Sequence, residues 1–265
     1  MPSTATIYGR SVPQSEAKVP IPQGQRMNHH GTHESIARFD AMYRQRGIHA
    51  QRLYPNEQLI QFIGEYYFQL PMSERSNVRI LEIGSGSGAN LWMLAREGFD
   101  TYGVEPSLEA NRLAAEHLAT KWGVSATIRQ GSAESIPFED ARFDVVCDIV
   151  TLQHLTVEAS VPALAEICRV LRPAGLFFSY RLSDESIMLT GGENVYLDPV
   201  TVEDIANPNM PLSGNGPTSF WSADLATRKY SQAGFEIVSI EKYRRTYQNG
   251  SQAVGYLAIT AKRPS

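Results

Sequence analysis

The chain has few cysteines, no excess of basic residues and no long apolar run. Cys147 and Cys168 are its two cysteines among 265 residues, and both fall in apolar or amphipathic segments, which predicts buried free thiols rather than disulfides or a metal site. The net charge of −4 argues against a nucleic-acid partner, which usually requires a basic face. No apolar stretch approaches the ~20 residues of a membrane span. We therefore expect a cytoplasmic protein with no nucleic-acid or membrane partner.

Two local features qualify this picture. Lys242, Arg244 and Arg245 form a small basic group near a late strand, and a solvated strand end is the simpler interpretation of it. The first 25 residues are rich in Pro, Ser and Gln and lack the apolar core of a signal peptide. Residues 1–28 are therefore predicted to be a flexible tail, part of which orders over a ligand.

A buried-strand pattern runs directly into a glycine-rich turn and then a helix at residues 80–90, ILEIGSGSGAN. Glycines at alternate positions let the backbone approach a ligand closely, and the helix that follows presents its unpaired N–H groups. Glu105 closes the next apolar run about 20 residues later, where the second strand of a βαβ unit ends beside a ribose. This arrangement predicts a docking site for a nucleotide-like cofactor.

The glycine turn by itself also fits the dinucleotide pattern G-x-G-x-x-A and would suit NAD equally well. Further motifs follow in order: Glu105-Pro106-Ser107, residues 131–138 (GSAESIPF), residues 143–146 (FDVV), residues 152–155 (LQHL) and residues 171–175 (LRPAG). In order and spacing, these motifs resemble those of class I S-adenosylmethionine (SAM) dependent methyltransferases, over roughly residues 76–180.

The resemblance implies a set of cofactor-binding residues. Glu82 faces the ammonium group of SAM, Glu105 takes the ribose hydroxyls, and the N–H of Ala133 donates to the adenine ring. The full set is Tyr43, Glu82, Gly84, Ser85, Gly86, Gly88, Asn90, Glu105, Pro106, Ser107, Ser132, Ala133, Glu134 and Ile149. Many relatives carry Asp where this chain has Ser132, so the sequence does not decide which groups of the chain bind the adenine.

Simpler interpretations exist for several of these residues. Glu82 is also compatible with a partner for the helix dipole, Glu105 with a solvated acid at a strand end, and Tyr43 with a core tyrosine. His154 follows a strand at the carboxyl edge of the predicted sheet, where open α/β folds place their chemistry. We expect it to be the general base, although a histidine there can also simply bond the backbone.

His29, His30 and His33 lack an accompanying set of carboxylates or cysteines, so no metal site is expected there. A solvated helix start, or a part in a substrate lid, accounts for them as well.

Strand and helix patterns alternate along the chain after an all-helical stretch at residues 29–70. This alternation predicts an α/β fold with a parallel sheet covered on both faces and an N-terminal helical cap. The resemblance implies that the sheet is Rossmann-like and doubly wound, with seven strands of which the last is antiparallel. The predicted organisation is a tail (1–28), a helical cap or lid (29–75) and a SAM-binding core (76–265) with a loop insertion at 184–221. That insertion is rich in turn-forming residues, as functional loops often are.

The resemblance implies methyl transfer from SAM to an O or N atom of a small-molecule acceptor such as a metabolite, sugar or natural-product intermediate. An NAD(P)-dependent oxidoreductase and a non-catalytic SAM-binding regulator are the alternatives. The first would need a hydride-transfer constellation, and no Tyr-x-x-x-Lys pair or second nucleotide-binding half is evident. Neither the acceptor nor the oligomeric state follows from the sequence.

Overall fold

The computed structural model describes residues 30–189, 193–210 and 212–265, with the side chains of residues 30–35 left out. The predicted tail, His29 and the side chains of His30 and His33 lie outside the described part of the chain. Seven α-helices are described: α1 (His30–Arg46), α2 (Glu57–Tyr66), α3 (Met72–Arg75), α4 (Leu91–Arg96), α5 (Leu108–His117), α6 (Ser160–Val170) and α7 (Ala223–Gln232). The strands described are β1 (Arg79–Ile83), β2 (Asp100–Glu105), β3 (Thr127–Gln130), β4 (Phe143–Ile149), β5 (Leu171–Leu182), β6 (Tyr196–Asp198), β7 (Thr201–Val202), β8 (Thr218–Ser219), β9 (Glu236–Tyr247) and β10 (Gln252–Lys262).

The main sheet has seven strands in the order β3-β2-β1-β4-β5-β10-β9. Strands β1 to β5 pair in parallel, and β10 runs antiparallel between β5 and β9. Every residue of β4 is buried, as expected of a central strand covered on both faces. The predicted α/β sheet with an antiparallel last strand is confirmed.

Two hydrophobic clusters cover the two faces of this sheet. On one face, α6 and α7 pack against Leu81, Val146 and Phe177. On the other, α2 and α4 pack against Ile80 and Val145, and the ring of Phe62 stacks on that of Phe178 at 4.7 Å. The odd and even residues of β1 and β4 thus enter opposite cores, which makes the sheet doubly wound.

The insertion predicted as a loop over 184–221 contains regular structure. Strands β6, β7 and β8 form a small antiparallel sheet, and Met188, Val202, Ile205 and Phe220 pack into a third cluster with Leu182 and Val254. The insertion predicted as a loop therefore contains short strands. Strands of two or three residues are too short to show an alternating pattern, so the sequence carried no signal for them.

Helix α1 connects the core to the insertion. Ser107, which begins α5, donates a hydrogen bond to Asp40 at 2.6 Å, and Arg38 pairs with Asp204 of the insertion at 3.4 Å. Helix α1 therefore spans the carboxyl edge of the sheet. In the described part of the chain, no helix combines the length and hydropathy that crossing a bilayer requires.

Candidate active site

A cavity of ≈440 Å³ lies between α1 and the carboxyl ends of β1, β2 and β4. Its volume falls in the range of small-molecule sites, and its position is the one at which open α/β sheets bind ligands. Eleven of the predicted cofactor residues line it: Tyr43, Glu82, Gly84, Ser85, Asn90, Glu105, Pro106, Ser132, Ala133, Glu134 and Ile149. Gly86, Gly88 and Ser107 are not among the residues that line it.

The glycine turn has no room for side chains at two positions. Gly84 has φ +65°, and a Cβ there would collide with the side chain of Thr151. Gly86 has φ +51°, and its Cβ would collide with Gln51 and come within 2.6 Å of the Tyr43 hydroxyl. Both conformations favour glycine. The turn therefore brings backbone, rather than side chains, up to the cavity.

Glu105 is held at the cavity wall by backbone donors. Its Oε2 accepts a hydrogen bond from Gly86 N at 3.0 Å and its Oε1 accepts one from Ser107 N at 2.9 Å. Burial raises the pKa of the carboxyl group, and the two N–H groups oppose that rise by stabilising the anion. Each oxygen has a second lone pair available, so the group is able to accept further hydrogen bonds from a ligand.

Glu82 is the second buried carboxyl group of the cavity. Its Oε1 accepts a hydrogen bond from Asn90, whereas its Oε2 is buried without a hydrogen-bond partner. Burial raises the pKa of Glu82 to about 8, although Arg52 acts in the opposite direction. Both polar atoms of the Asn90 side chain form hydrogen bonds, because its nitrogen donates to Glu82 and its oxygen accepts from Asn56 N at 2.9 Å. Asn90 therefore orients Glu82, and the free oxygen of Glu82 is left for a ligand.

The structure shows where Tyr43 and Ser107 lie and what they contact. Tyr43 is 1% exposed yet lines the cavity, and burial together with Glu105 raises the pKa of its hydroxyl. Ser107, expected beside adenine, instead accepts a hydrogen bond from Ala110 N at 3.1 Å and binds Asp40. It caps α5 and anchors α1.

Gly88 faces Leu118 and Ala114, where it allows the turn to pack closely on α5 and the helical turn after it.

The chain turns sharply after β4. Val150 adopts φ +59°, an unusual conformation for a β-branched residue, and such strain tends to occur at functional sites. The buried carboxylate of Asp148 holds the turn by accepting from Thr151 N at 2.9 Å and Leu152 N at 3.0 Å. Ser179 of β5 donates to the other oxygen of Asp148 at 2.7 Å. The turn that carries His154 is thus fixed to two strands of the sheet.

The insertion holds the same turn from its other side. Arg181, fully buried on β5, donates to the Ser219 hydroxyl at 2.8 Å and lies 3.6 Å from the centroid of the Trp221 ring. The Ser219 hydroxyl in turn donates to the backbone carbonyl of Gln153 at 3.0 Å. Nε and Nη1 of Arg181 are buried without a hydrogen-bond partner. Through Ser219, Arg181 is nevertheless connected to the backbone of the turn, which it supports structurally.

His154 lies at the end of this turn and lines the cavity. Its Nδ1 is 2.9 Å from the carbonyl oxygen of Pro217 in the insertion. Because a carbonyl only accepts, Nδ1 carries the proton of the neutral ring, and Nε2 is left as an acceptor. Burial lowers the pKa of the imidazole, which keeps it neutral near pH 7. One nitrogen of the ring therefore binds backbone, and the role of His154 as a general base stays a prediction.

Sequence reasoning missed several residues that line the cavity: Arg46, Gln51, Arg52, Thr151, Gln153, Leu212 and Asn215. The first three lie at the end of α1 and just after it, and no motif or periodicity marks them. Among residues 30–189, 193–210 and 212–265, no group of three or more His, Cys, Asp or Glu side chains is arranged to hold a metal ion.

The strand order separates this fold from the dinucleotide-binding sheet, whose order is 3-2-1-4-5-6. Here an antiparallel strand is inserted before the edge strand. A family model described as "Methyltransferase domain" matches residues 81–179. This part of the chain belongs to the class I methyltransferases. SAM is the cofactor of that family, and the cavity fits it: two buried carboxyl groups, one with an oxygen that lacks a partner, lie beside a turn that has no room for a Cβ at Gly84 and Gly86.

Known proteins resemble the methyltransferase domain to different extents. The ubiquinone biosynthesis O-methyltransferase of Azorhizobium caulinodans is 40% identical over 78 residues, which cover 29% of this chain and 30% of that protein. Eight of the curated relatives that match are covered over 30% to 52% of their own length. These relatives support the family assignment of the domain.

Solved structures extend the likeness over most of the chain. A protein solved in work on the conversion of a disulfide bond into a thioacetal group during echinomycin biosynthesis is 20% identical, with a TM-score of 0.62, covering 85% of this chain and 92% of that one. The 1,6-didemethyltoxoflavin-N1-methyltransferase of Burkholderia thailandensis, solved with its substrate and S-adenosylhomocysteine, is 16% identical with a TM-score of 0.56, covering 92% and 94%. At these identities, the likeness establishes the fold.

Proposed function

We propose that the protein transfers a methyl group from SAM to an oxygen or nitrogen atom of a small-molecule acceptor. The observation that carries this proposal is the pairing of Glu82 and Glu105 in one cavity with His154 at its rim. Two carboxyl groups suit the ammonium and the ribose of SAM, and an imidazole with a free Nε2 suits proton removal from an acceptor.

In this proposal, the residues of the chain bind, orient and move a proton. SAM, when bound, supplies an electrophilic methyl group on a sulfonium. Glu105 holds the ribose hydroxyls, the free oxygen of Glu82 faces the ammonium group, and Ser132 to Glu134 lie along the adenine. Nε2 of His154 takes the proton of the acceptor's hydroxyl or ammonium group. Helix α1 and the insertion exclude water from the site.

Turnover distinguishes this proposal from its two alternatives. Purified protein is incubated with SAM and a panel of hydroxylated and amine acceptors, and mass spectrometry measures S-adenosylhomocysteine and products heavier by one methylene. We expect both to form together. Ligand released from the purified protein is identified in parallel: NAD(P) would favour the oxidoreductase, and SAM binding without turnover on any acceptor would favour a regulator.

Glu82 provides a prediction that needs no acceptor. Its pKa of about 8 means that the carboxyl group is largely protonated at pH 7 in the absence of ligand. An ammonium group nearby stabilises the anion and lowers this pKa, so binding of S-adenosylhomocysteine at pH 7 should release close to one proton. Calorimetry in buffers with different ionisation enthalpies measures this number. It should fall toward zero above pH 9, where Glu82 is already ionised.

Glu82→Gln keeps the shape of the side chain but cannot ionise, so its binding should release no proton at pH 7. Glu97→Gln is the matched control, since Glu97 pairs with Arg75 outside the cavity. Equal proton release from the wild type and Glu82→Gln would show that Glu82 does not face the ammonium group.

We also expect residues 36–54 and the described parts of residues 184–221 to close over bound ligands. These segments meet through the Arg38–Asp204 pair, and Phe39 of the first contacts His154 in the turn after β4, at 5.3 Å between ring centroids. Hydrogen exchange should slow in both segments when S-adenosylhomocysteine binds, whereas α7, which contributes no residue to the cavity wall, should exchange as before. Unchanged exchange in both segments would contradict a lid.

A further inference from the structure

A second cavity, of ≈780 Å³, adjoins the first on the side of β5, β10 and β9. The two cavities share four lining residues: Arg52, Val150, Gln153 and Leu212. The first cavity has the volume of a site for one drug-sized ligand. Two ligands that react with each other need adjoining spaces, and the wall between these two includes the turn that leads to His154.

Three tyrosines form one side of the second cavity. The Tyr180 and Tyr256 rings stack with centroids 4.8 Å apart and planes 12° apart, and Tyr243 meets Tyr180 edge-on at 6.3 Å. The sheet brings them together, because β10 lies between β5 and β9 and Tyr256 pairs directly with Tyr243. Burial raises the pKa of the Tyr180 and Tyr256 hydroxyls, which therefore stay neutral. Such a surface favours a planar, unsaturated ring.

The charged residues of this cavity are predominantly basic. Arg52, Arg244 and Arg245 line it, against one carboxylate, Glu57. Within the described part of the chain, none of the three arginines forms an ion pair with a carboxylate. Guanidinium groups bind carboxylates and phosphates through paired hydrogen bonds. Two members of the basic group found in the sequence, Arg244 and Arg245, are exposed on the edge strand, as expected of a solvated strand end, and they also line this cavity. Lys242 pairs with Glu185.

We infer that the second cavity binds the methyl acceptor, and that the acceptor is an aromatic ring bearing a carboxylate or a phosphate. The inference rests on the proposed function. The ring lies against the tyrosines, and the anionic group is bound by Arg245, which shares one face of β9 with Tyr243. The hydroxyl or amine to be methylated points across the shared wall toward the first cavity. An acidic protein thus selects an acidic substrate through a local basic site.

Binding of small probes tests this inference separately from catalysis. Benzoate, phenyl phosphate and the neutral benzamide are titrated into the full-length protein, with and without saturating S-adenosylhomocysteine, and calorimetry measures each Kd. We expect the anionic probes to bind at least about tenfold more tightly than benzamide, because each charge-assisted pair adds affinity. Their Kd should change little when S-adenosylhomocysteine is present, since they occupy a separate cavity.

Arg245→Gln should weaken the anionic probes about tenfold and leave benzamide and S-adenosylhomocysteine unchanged. Arg228→Gln, at an exposed position on α7, is the matched control and should change nothing. Preference for benzoate over phenyl phosphate, or the reverse, identifies the anionic group. Tighter binding of benzamide, competition with S-adenosylhomocysteine, or equal affinity in Arg245→Gln would each overturn the inference. Failure of S-adenosylhomocysteine alone to bind would instead count against the proposed function.

Discussion

Replacing His154 with alanine is expected to lower kcat by about 10²–10⁴ on an oxygen acceptor, the usual contribution of a general base. The affinity for S-adenosylhomocysteine should stay nearly unchanged, because the Glu82 and Glu105 contacts lie on other elements. Steady-state kinetics and calorimetry on the same preparations separate the two effects. On an amine acceptor that is already neutral when bound, the loss should be much smaller, since orientation then provides most of the acceleration.

The pH dependence of wild-type turnover provides a second measure of the same role. A base acts in its neutral form, and burial lowers the pKa of His154 below its ordinary value of about 6.5. The rate should therefore hold through pH 7 and fall only on further acidification. His117→Ala is a matched control, because His117 is bonded to Trp122 away from the cavity. Full turnover of His154→Ala on an oxygen acceptor would remove His154 from the mechanism.

Glu105→Ala is expected to weaken the binding of S-adenosylhomocysteine by more than about 100-fold. Each charge-assisted hydrogen bond to a ligand hydroxyl contributes ~1.5–3 kcal/mol, and two are lost together. The substitution also leaves Gly86 N and Ser107 N without their acceptor, so the glycine turn loses a support. Calorimetry measures the affinity, and circular dichroism checks that the fold is retained.

Two further variants distinguish ligand binding from local structure at this site. Glu105→Gln keeps one acceptor oxygen and the approximate shape, so it should bind more tightly than Glu105→Ala but less tightly than the wild type. Glu109→Ala removes a nearby carboxylate on α5 that pairs with Arg112, and it should bind as the wild type does. If Glu105→Ala binds within a few-fold of the wild type, the ribose assignment is incorrect.

The cofactor side of the protein could be predicted from the sequence because its signals are local. The strand, turn and helix around Gly84 lie within one short segment, and Glu105 closes the next strand, so chain spacing alone placed both at the carboxyl edge of a parallel sheet. The alternation of strands and helices likewise predicted the parallel part of the sheet, and the resemblance to the methyltransferase family implied the antiparallel last strand. The precise roles of Ser107 and Asn90 were beyond this reasoning, because each side chain bonds to a residue distant in sequence, Asp40 and Asn56 respectively.

The tertiary structure alone decided the acceptor side. Arg52, Tyr180, Arg245 and Tyr256 come from four separate parts of the chain, and only the insertion of β10 between β5 and β9 brings the tyrosines and Arg245 to one cavity. The support of His154 by Pro217 and Ser219 depends on a small sheet whose strands are too short to leave a pattern. Contacts between residues close in sequence are encoded by spacing and periodicity, whereas contacts between distant residues depend on how the whole chain packs, which no local pattern records.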